Sequence, residues 1–191
     1  MTRSDRLFDG IRKKKSLRKA WAKIYENGQH SESKETLKLV NEYKQSEDDR
    51  LSNLAKKLRK RDFNFGDARG VAAKKRSGKL RPVVSATIDA RIVQRSVLDE
   101  LSRRREIKRF FSVDTSFGAI PDKGVPEAIK AAVTAIQGGT KYYFKSDIAD
   151  FFTKIPRAQV VKNIGSFWND QDFRNLLERT TNIEIANLAY L

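Results

Sequence analysis

Asp147 and Asp150 follow the apolar run Tyr142-Tyr143-Phe144 after Lys145-Ser146, and Phe151-Phe152 come next. This spelling predicts a buried strand that carries an acid out at its end. Such a carboxylate is costly to leave uncompensated, and a divalent metal, held through oxygen ligands, is the usual solution. Strands ending in Asp also occur throughout α/β proteins as phosphoacceptors or nucleotide-binding carboxylates, so Asp147 by itself leaves those chemistries open. A second group lies upstream, where Lys74 and Lys75 precede the turn Arg76-Ser77-Gly78 and Lys79 and Arg81 follow it. Arg forks onto phosphate oxygens and Lys supplies a point charge, so a hairpin carrying both suits a phosphate-bearing ligand.

The elements that must position these residues are legible from periodicity. Val71 to Lys75 and Leu80 to Val84, joined by the Gly-containing turn, read as a β-hairpin. Thr87 to Leu101 places Ile88, Ile92, Val93, Val97 and Leu101 at helical spacing, with Arg91 and Gln94 on the same helix. Val125 to Gln137 is a second helix, with Val125, Ile129, Val133 and Ile136 on one face and a stop at Gly138-Gly139. Ahead of the hairpin, residues 17–26 form a helix behind Ser16 as N-cap, with Leu17, Ala20, Trp21, Ile24 and Tyr25 on one face and Asn27-Gly28 as its end. After a polar linker at 29–33, helices are expected over 34–44 and 49–61, separated by Ser46-Glu47-Asp48-Asp49. Pro156 opens a last helix with Val160, Val161, Ile164 and Phe167 inward; Phe167 and Trp168 read as core.

Composition bounds the function. The 191 residues are 39% hydrophobic, enough for one ordinary domain with a core. The absence of cysteine excludes disulfides and thiolate zinc sites. A single histidine, His30, lies in a polar loop and reads as solvated. No signal-peptide core and no bilayer-length apolar run are present, so a cytoplasmic protein without membrane contact is expected. The net charge is +16, and residues 1–110 hold 31 Lys and Arg against 15 Asp and Glu, whereas the remainder holds nine of each. The whole excess thus precedes residue 111, as in a polyanion-gripping surface joined to a neutral part that does chemistry. Solvated basic faces or anionic membranes are the alternatives for runs such as Arg12-Lys13-Lys14-Lys15 and Arg103-Arg104-Arg105.

Taken in order, these motifs resemble the reverse transcriptases, most closely the bacterial retron-like and unclassified branches, over about residues 17–168. Asp147-Ile148-Ala149-Asp150-Phe151-Phe152 is similar to that family's motif A, and Lys74 to Val84 with Asp89-Ala90-Arg91-Ile92-Val93-Gln94 to its motif 1. Ser116-Phe117-Gly118 to Gly124 occupies the place of motif 2, though Ala119 and Asp122 depart from it. Ala20-Trp21 with Asn27-Gly28 looks similar to the helical extension ahead of the fingers. Gly-Lys-x-Arg-Pro also occurs in basic hairpins of ribosomal proteins, so the hairpin alone is weak evidence.

The resemblance implies an α+β fold: a helical N-terminal extension (1–65), a fingers region with the motif 1 hairpin and motif 2 loop (66–140), and the first part of a right-hand polymerase palm (141–191). It implies that Asp147 and the Ile148 carbonyl hold magnesium or manganese, two ions serving the complete enzyme. It further implies that Lys74 and Arg81 clamp the triphosphate of a dNTP, with Asp150 near it through its backbone N–H. Phe151 and Phe152 belong to the nucleotide site, Phe152 beneath the sugar. Lys75, Lys79, Arg91 and Gln94 are implied to meet an RNA template and its primer.

Two metals about 4 Å apart require carboxylates from more than one strand. The family takes the others from a Tyr-x-Asp-Asp hairpin, and this sequence has none; its only adjacent Asp pair, Asp48-Asp49, lies in a polar break. The chain is therefore read as fingers plus the first part of a palm, inactive by itself and completed by a C-terminal palm and thumb or a second chain. A noncatalytic basic RNA- or DNA-binding protein is the alternative. Retron, phage-defence and mobile-element roles all remain open.

Overall fold

A computed structural model describes residues 6–74, 78, 80–111, 113–118, 120, 123–148, 154–183 and 185, with backbone only at 72–74, 80–82, 110 and 111. The described residues are mostly helical, with one two-stranded antiparallel sheet. Packing divides the chain into two compact units: residues 1–101 with 157–191, and residues 102–156. These cuts, at 101 and 156, differ from the divisions expected at 65 and 140.

The first unit is built around α2 (Lys14–Gln29) and α5 (Ile88–Leu101). Helices α1 (Leu7–Ile11), α3 (Lys34–Gln45) and α4 (Glu47–Lys60) pack about them, together with α9 (Gln171–Thr181), which follows α8 (Arg157–Gly165). Their apolar stripes meet in one core that includes Ile11, Leu17, Trp21, Tyr43, Leu54, Ile92, Val93 and Phe173, each at most 2% exposed. Several buried polar side chains inside it are hydrogen-bonded, as burial of a polar group favours. Trp21 Nε1 donates to Glu47 at 2.7 Å, and the Tyr43 hydroxyl donates to Asp89 at 2.9 Å. The Ser96 hydroxyl donates to the Ile11 carbonyl.

Asp170 joins the two ends of the chain segment that forms this unit. Its Oδ1 accepts the Phe173 N–H as the N-cap of α9, and its Oδ2 accepts the Phe8 N–H, both at 3.0 Å. This tertiary bond and the contacts between α1 and α9 hold the two helices together in the shared core.

Two expected boundaries are corrected. Lys13, not Ser16, is the N-cap of α2, without a side-chain cap bond. Asn27-Gly28 does not end α2, which continues to Gln29. A Cβ on Gly28 would lie 2.7 Å from Val40 Cγ1. Gly28 is thus the point where α3 approaches the α2 backbone, a packing role that a local reading takes for a stop signal. The acidic break narrows to Ser46, because Glu47, Asp48 and Asp49 form the first turn of α4, where negative charge suits the helix dipole.

The hairpin forms as expected, with β1 (Arg69–Lys74) antiparallel to β2 (Leu80–Ser85). Ala68 also bridges Ile185 in parallel. In α8 the expected inward face is corrected: Val160 and Phe167, the latter just past the helix, are 38% and 39% exposed, while Gly165 and Trp168 are buried. The contact with α9 is made through Gly165, whose missing Cβ leaves room for the Arg174 stem.

The second unit contains α6 (Arg105–Phe111) and α7 (Val125–Gln137). The latter has the expected bounds. Pro126 lies in its first turn, and Gly139 adopts φ 95°, the left-handed conformation of a C′ glycine, with Thr140 N–H returning to the Ala135 carbonyl. Its apolar face is open: Val125, Ile129, Val133 and Ile136 are 72, 58, 45 and 66% exposed. Among the described residues no helix is long and apolar enough to cross a membrane.

Candidate nucleotide and nucleic-acid site

Asp147 lies in the second unit, at the end of residues 141–148, and here the strand expectation is corrected. The segment pairs with no strand among the described residues, and Tyr142, Tyr143 and Phe144 are each about nine-tenths exposed. A strand exists only where a neighbour accepts and donates its backbone hydrogen bonds, and none is supplied here. The burial argument for a compensating cation therefore does not apply to Asp147 as it stands. Asp147 Oδ1 accepts the N–H of Ile148, its neighbour, at 2.9 Å. Ile148 is 67% exposed, leaving its surroundings open to solvent. No cluster of three or more His, Cys, Asp or Glu side chains that would hold a metal occurs among the described residues. Asp150, Phe151 and Phe152 lie outside those residues.

Lys74 and Arg81 belong to the hairpin of the first unit. Lys74 is opposite Leu80 and Arg81 opposite Ala73, so the two occupy neighbouring rungs of the ladder. Lys75 and Lys79 lie outside the described residues. On α5, Gln94 Nε2 donates to the Thr180 carbonyl at 3.3 Å, linking α5 to α9. Arg91, three residues earlier, is half-buried, and loss of solvent pulls its guanidinium below its ordinary value.

The loop at the motif 2 position closes on itself. Lys123 Nζ donates to the Val113 carbonyl at 3.1 Å and stands 5.7 Å over the Phe117 ring. That cation is engaged locally.

Part of the basic excess is neutralised internally. Lys14 and Arg18 both reach Asp48, holding its carboxyl below the usual range chiefly through the Lys14 hydrogen bond. Lys23 and Arg95 share Asp99 Oδ1 at 3.0 Å each. Arg61 grips Asp172 through two bonds of 2.5 and 2.6 Å, and Arg12 reaches Asp9 at 2.7 Å. These last two pairs belong to a grouping that the sequence did not reveal: Arg6, Arg12, Arg59 and Arg61 line one cavity where α1, the end of α4 and the start of α9 meet. Four arginines spread over residues 6–61 form no run and share no period, so no local signal brings them together.

No protein-family model matches the chain, and no curated protein matches it.

Proposed function

We propose that this chain is the fingers and the beginning of the palm of an RNA-directed DNA polymerase, which extends a primer on an RNA template with dNTPs. The observation that carries the reading is the order of elements behind the motif spelling. A Lys/Arg hairpin over 69–85 leads into α5, then α7 at its expected bounds, then an extended segment ending at Asp147. The open apolar face of α7 beside the unpaired residues 141–148 supports a palm whose remaining strands come from residues other than those described.

Among the described residues the donor set for magnesium is one carboxylate, Asp147, and the Ile148 carbonyl. Magnesium wants six oxygen ligands and gives up water reluctantly, so this set is incomplete by itself. Asp147 and the Ile148 carbonyl, joined by further acids, would hold magnesium, which would supply charge neutralisation at the phosphate. The roles of this chain's own residues are binding and orientation. Arg81 and Lys74 draw the triphosphate to the fingers by charge-assisted bonds. Phe152, by its motif position, is assigned to the sugar of the incoming nucleotide, where a bulky ring would exclude a 2′ hydroxyl, and the basic helices are assigned to template and primer.

A noncatalytic nucleic-acid-binding protein is the second reading, favoured by the lack, among the described residues, of any group of three or more His, Cys, Asp or Glu side chains that could hold a metal. Primer extension on an RNA template, measured on the product of the whole reading frame with Mg2+, separates the two. Synthesis is expected, and Asp147→Asn is expected to abolish it while primer–template affinity stays equal or rises slightly. Synthesis by the Asp147→Asn enzyme, or by the 191-residue chain unaided, would overturn this assignment.

A further inference from the structure

The cavity lined by Arg6, Arg12, Arg59 and Arg61 has a volume of about 470 Å³ and lies wholly within the first unit. Three carboxylates also line it, and each is already committed. Asp170 spends its two oxygens on the N–H groups of Phe8 and Phe173, Asp9 holds Arg12, and Asp172 holds Arg61 through both oxygens. Among the described residues neither Arg6 nor Arg59 has an ion pair, and both are exposed. Four guanidinium groups against three acids leave the cavity net positive, with the two unpaired cations at its solvent side.

Arg61 is held at φ 62°, the left-handed region, and is the one described non-glycine residue with positive φ. That conformation at the end of α4 is unfavourable for a non-glycine residue. There it engages Asp172 on α9, so α4 and α9 are tied across the cavity and its walls are preformed. A preformed, concave array of arginines matches the geometry of tetrahedral phosphate, onto which the planar fork can place two parallel bonds.

We propose that this cavity receives a backbone phosphate of a nucleic-acid strand, with Arg6 and Arg59 as the anion ligands and Arg12 and Arg61 as its fixed walls. The inference rests on the nucleic-acid-handling half of the function proposed above. It adds a contact on α1 and α4, remote in sequence from the hairpin and from α5. A singly charged diester phosphate matches the cavity better than a more highly charged anion, because four guanidinium groups against three carboxylates leave one net positive charge.

The test is an anisotropy titration of a fluorescein-labelled RNA–DNA hybrid with the 191-residue chain at several salt concentrations. The wild type is compared with Arg6→Gln/Arg59→Gln and with Lys34→Gln/Lys56→Gln, two exposed lysines outside the cavity lining with the same charge change. For a chain neutralising about six phosphates, log K falls against log salt with a slope near −5. The arginine variant is expected to bind about tenfold more weakly and to lose about one unit of slope, the lysine variant much less. Equal effects of the two variants would overturn the cavity assignment and leave the general reading standing. No binding by the wild type would instead sink the nucleic-acid reading itself, and this inference with it. Inorganic phosphate separates a free anion from a strand. If it raises the melting temperature of the wild type but not of the arginine variant, while hybrid binding is the same for both, the cavity takes a free anion and the proposal fails.

Discussion

At the residue scale, the charged groups divide into those committed to the fold and those left for a ligand. Asp172 is committed. The Arg61 hydrogen bonds hold its carboxyl below the usual range, and its folded value is therefore lower than the unfolded one of about 3.9. A depressed carboxyl contributes stability that is complete above the unfolded value and lost as pH falls through the folded value. Asp172→Asn is thus expected to lower the thermal midpoint at neutral pH, with the gap narrowing once pH falls below about 4 and closing only below the depressed folded value. Melting curves from pH 7 to acid check this, and a constant gap would remove the ion pair from the account. Arg81 is the contrasting case. In the complete enzyme Arg81→Ala is expected to raise the dNTP KM and lower kcat by losing a contact worth about 1.5–3 kcal/mol, with primer–template affinity nearly unchanged. Unaltered nucleotide kinetics would leave the hairpin a structural role only.

At the scale of elements, helix approach is decided by small residues that sequence patterns misread. Gly28 sits inside α2 against Val40 of α3, with no room for a Cβ. Gly28→Ala gains about 1 kcal/mol of helix propensity, but the overpacking costs about 1–3 kcal/mol, and the clash is with a stiff β-branched side chain. Net destabilisation is expected, and Val40→Ala in the same chain should relieve the overpacking that the added methyl introduces, making the two substitutions non-additive. Denaturant midpoints of the two single variants and the double variant test it; simple additivity would show that α3 does not meet α2 at this point. The hairpin is a different case, because its register follows from a short turn and local pairing.

At the scale of the whole molecule, the two units differ in how completely they bury their apolar residues. The first closes a core around Trp21, Tyr43 and Phe173, whereas α7 and Tyr142 to Phe144 in the second keep their apolar surface in solvent. Contiguous exposed apolar surface favours association. Ile129→Ser/Ile136→Ser is therefore expected to change stability by no more than about 0.5 kcal/mol per site, while reducing self-association and dye binding. A stability loss of core size, several kcal/mol, would mean that these side chains are packed in solution. Light scattering and denaturant curves of the two chains decide between these outcomes.

The elements whose signals are local were readable from the amino-acid order. The hairpin announced itself through its Gly-containing turn, α7 through its apolar period and Gly138-Gly139, and α5 through its apolar period, because each depends on preferences within a few residues. The basic excess before residue 111 was equally plain, since charge adds without regard to fold. What depended on residues distant in sequence was not readable. Asp170 caps α9 while binding Phe8, Gly28 admits α3, and Arg6, Arg12, Arg59 and Arg61 converge on one cavity only when α1, α4 and α9 pack. The extended run before Asp147 carries every local mark of a buried strand, yet among the described residues it has no partner. Strand identity resides in the hydrogen bonds of a neighbour, and the tertiary structure alone determines whether that neighbour is there.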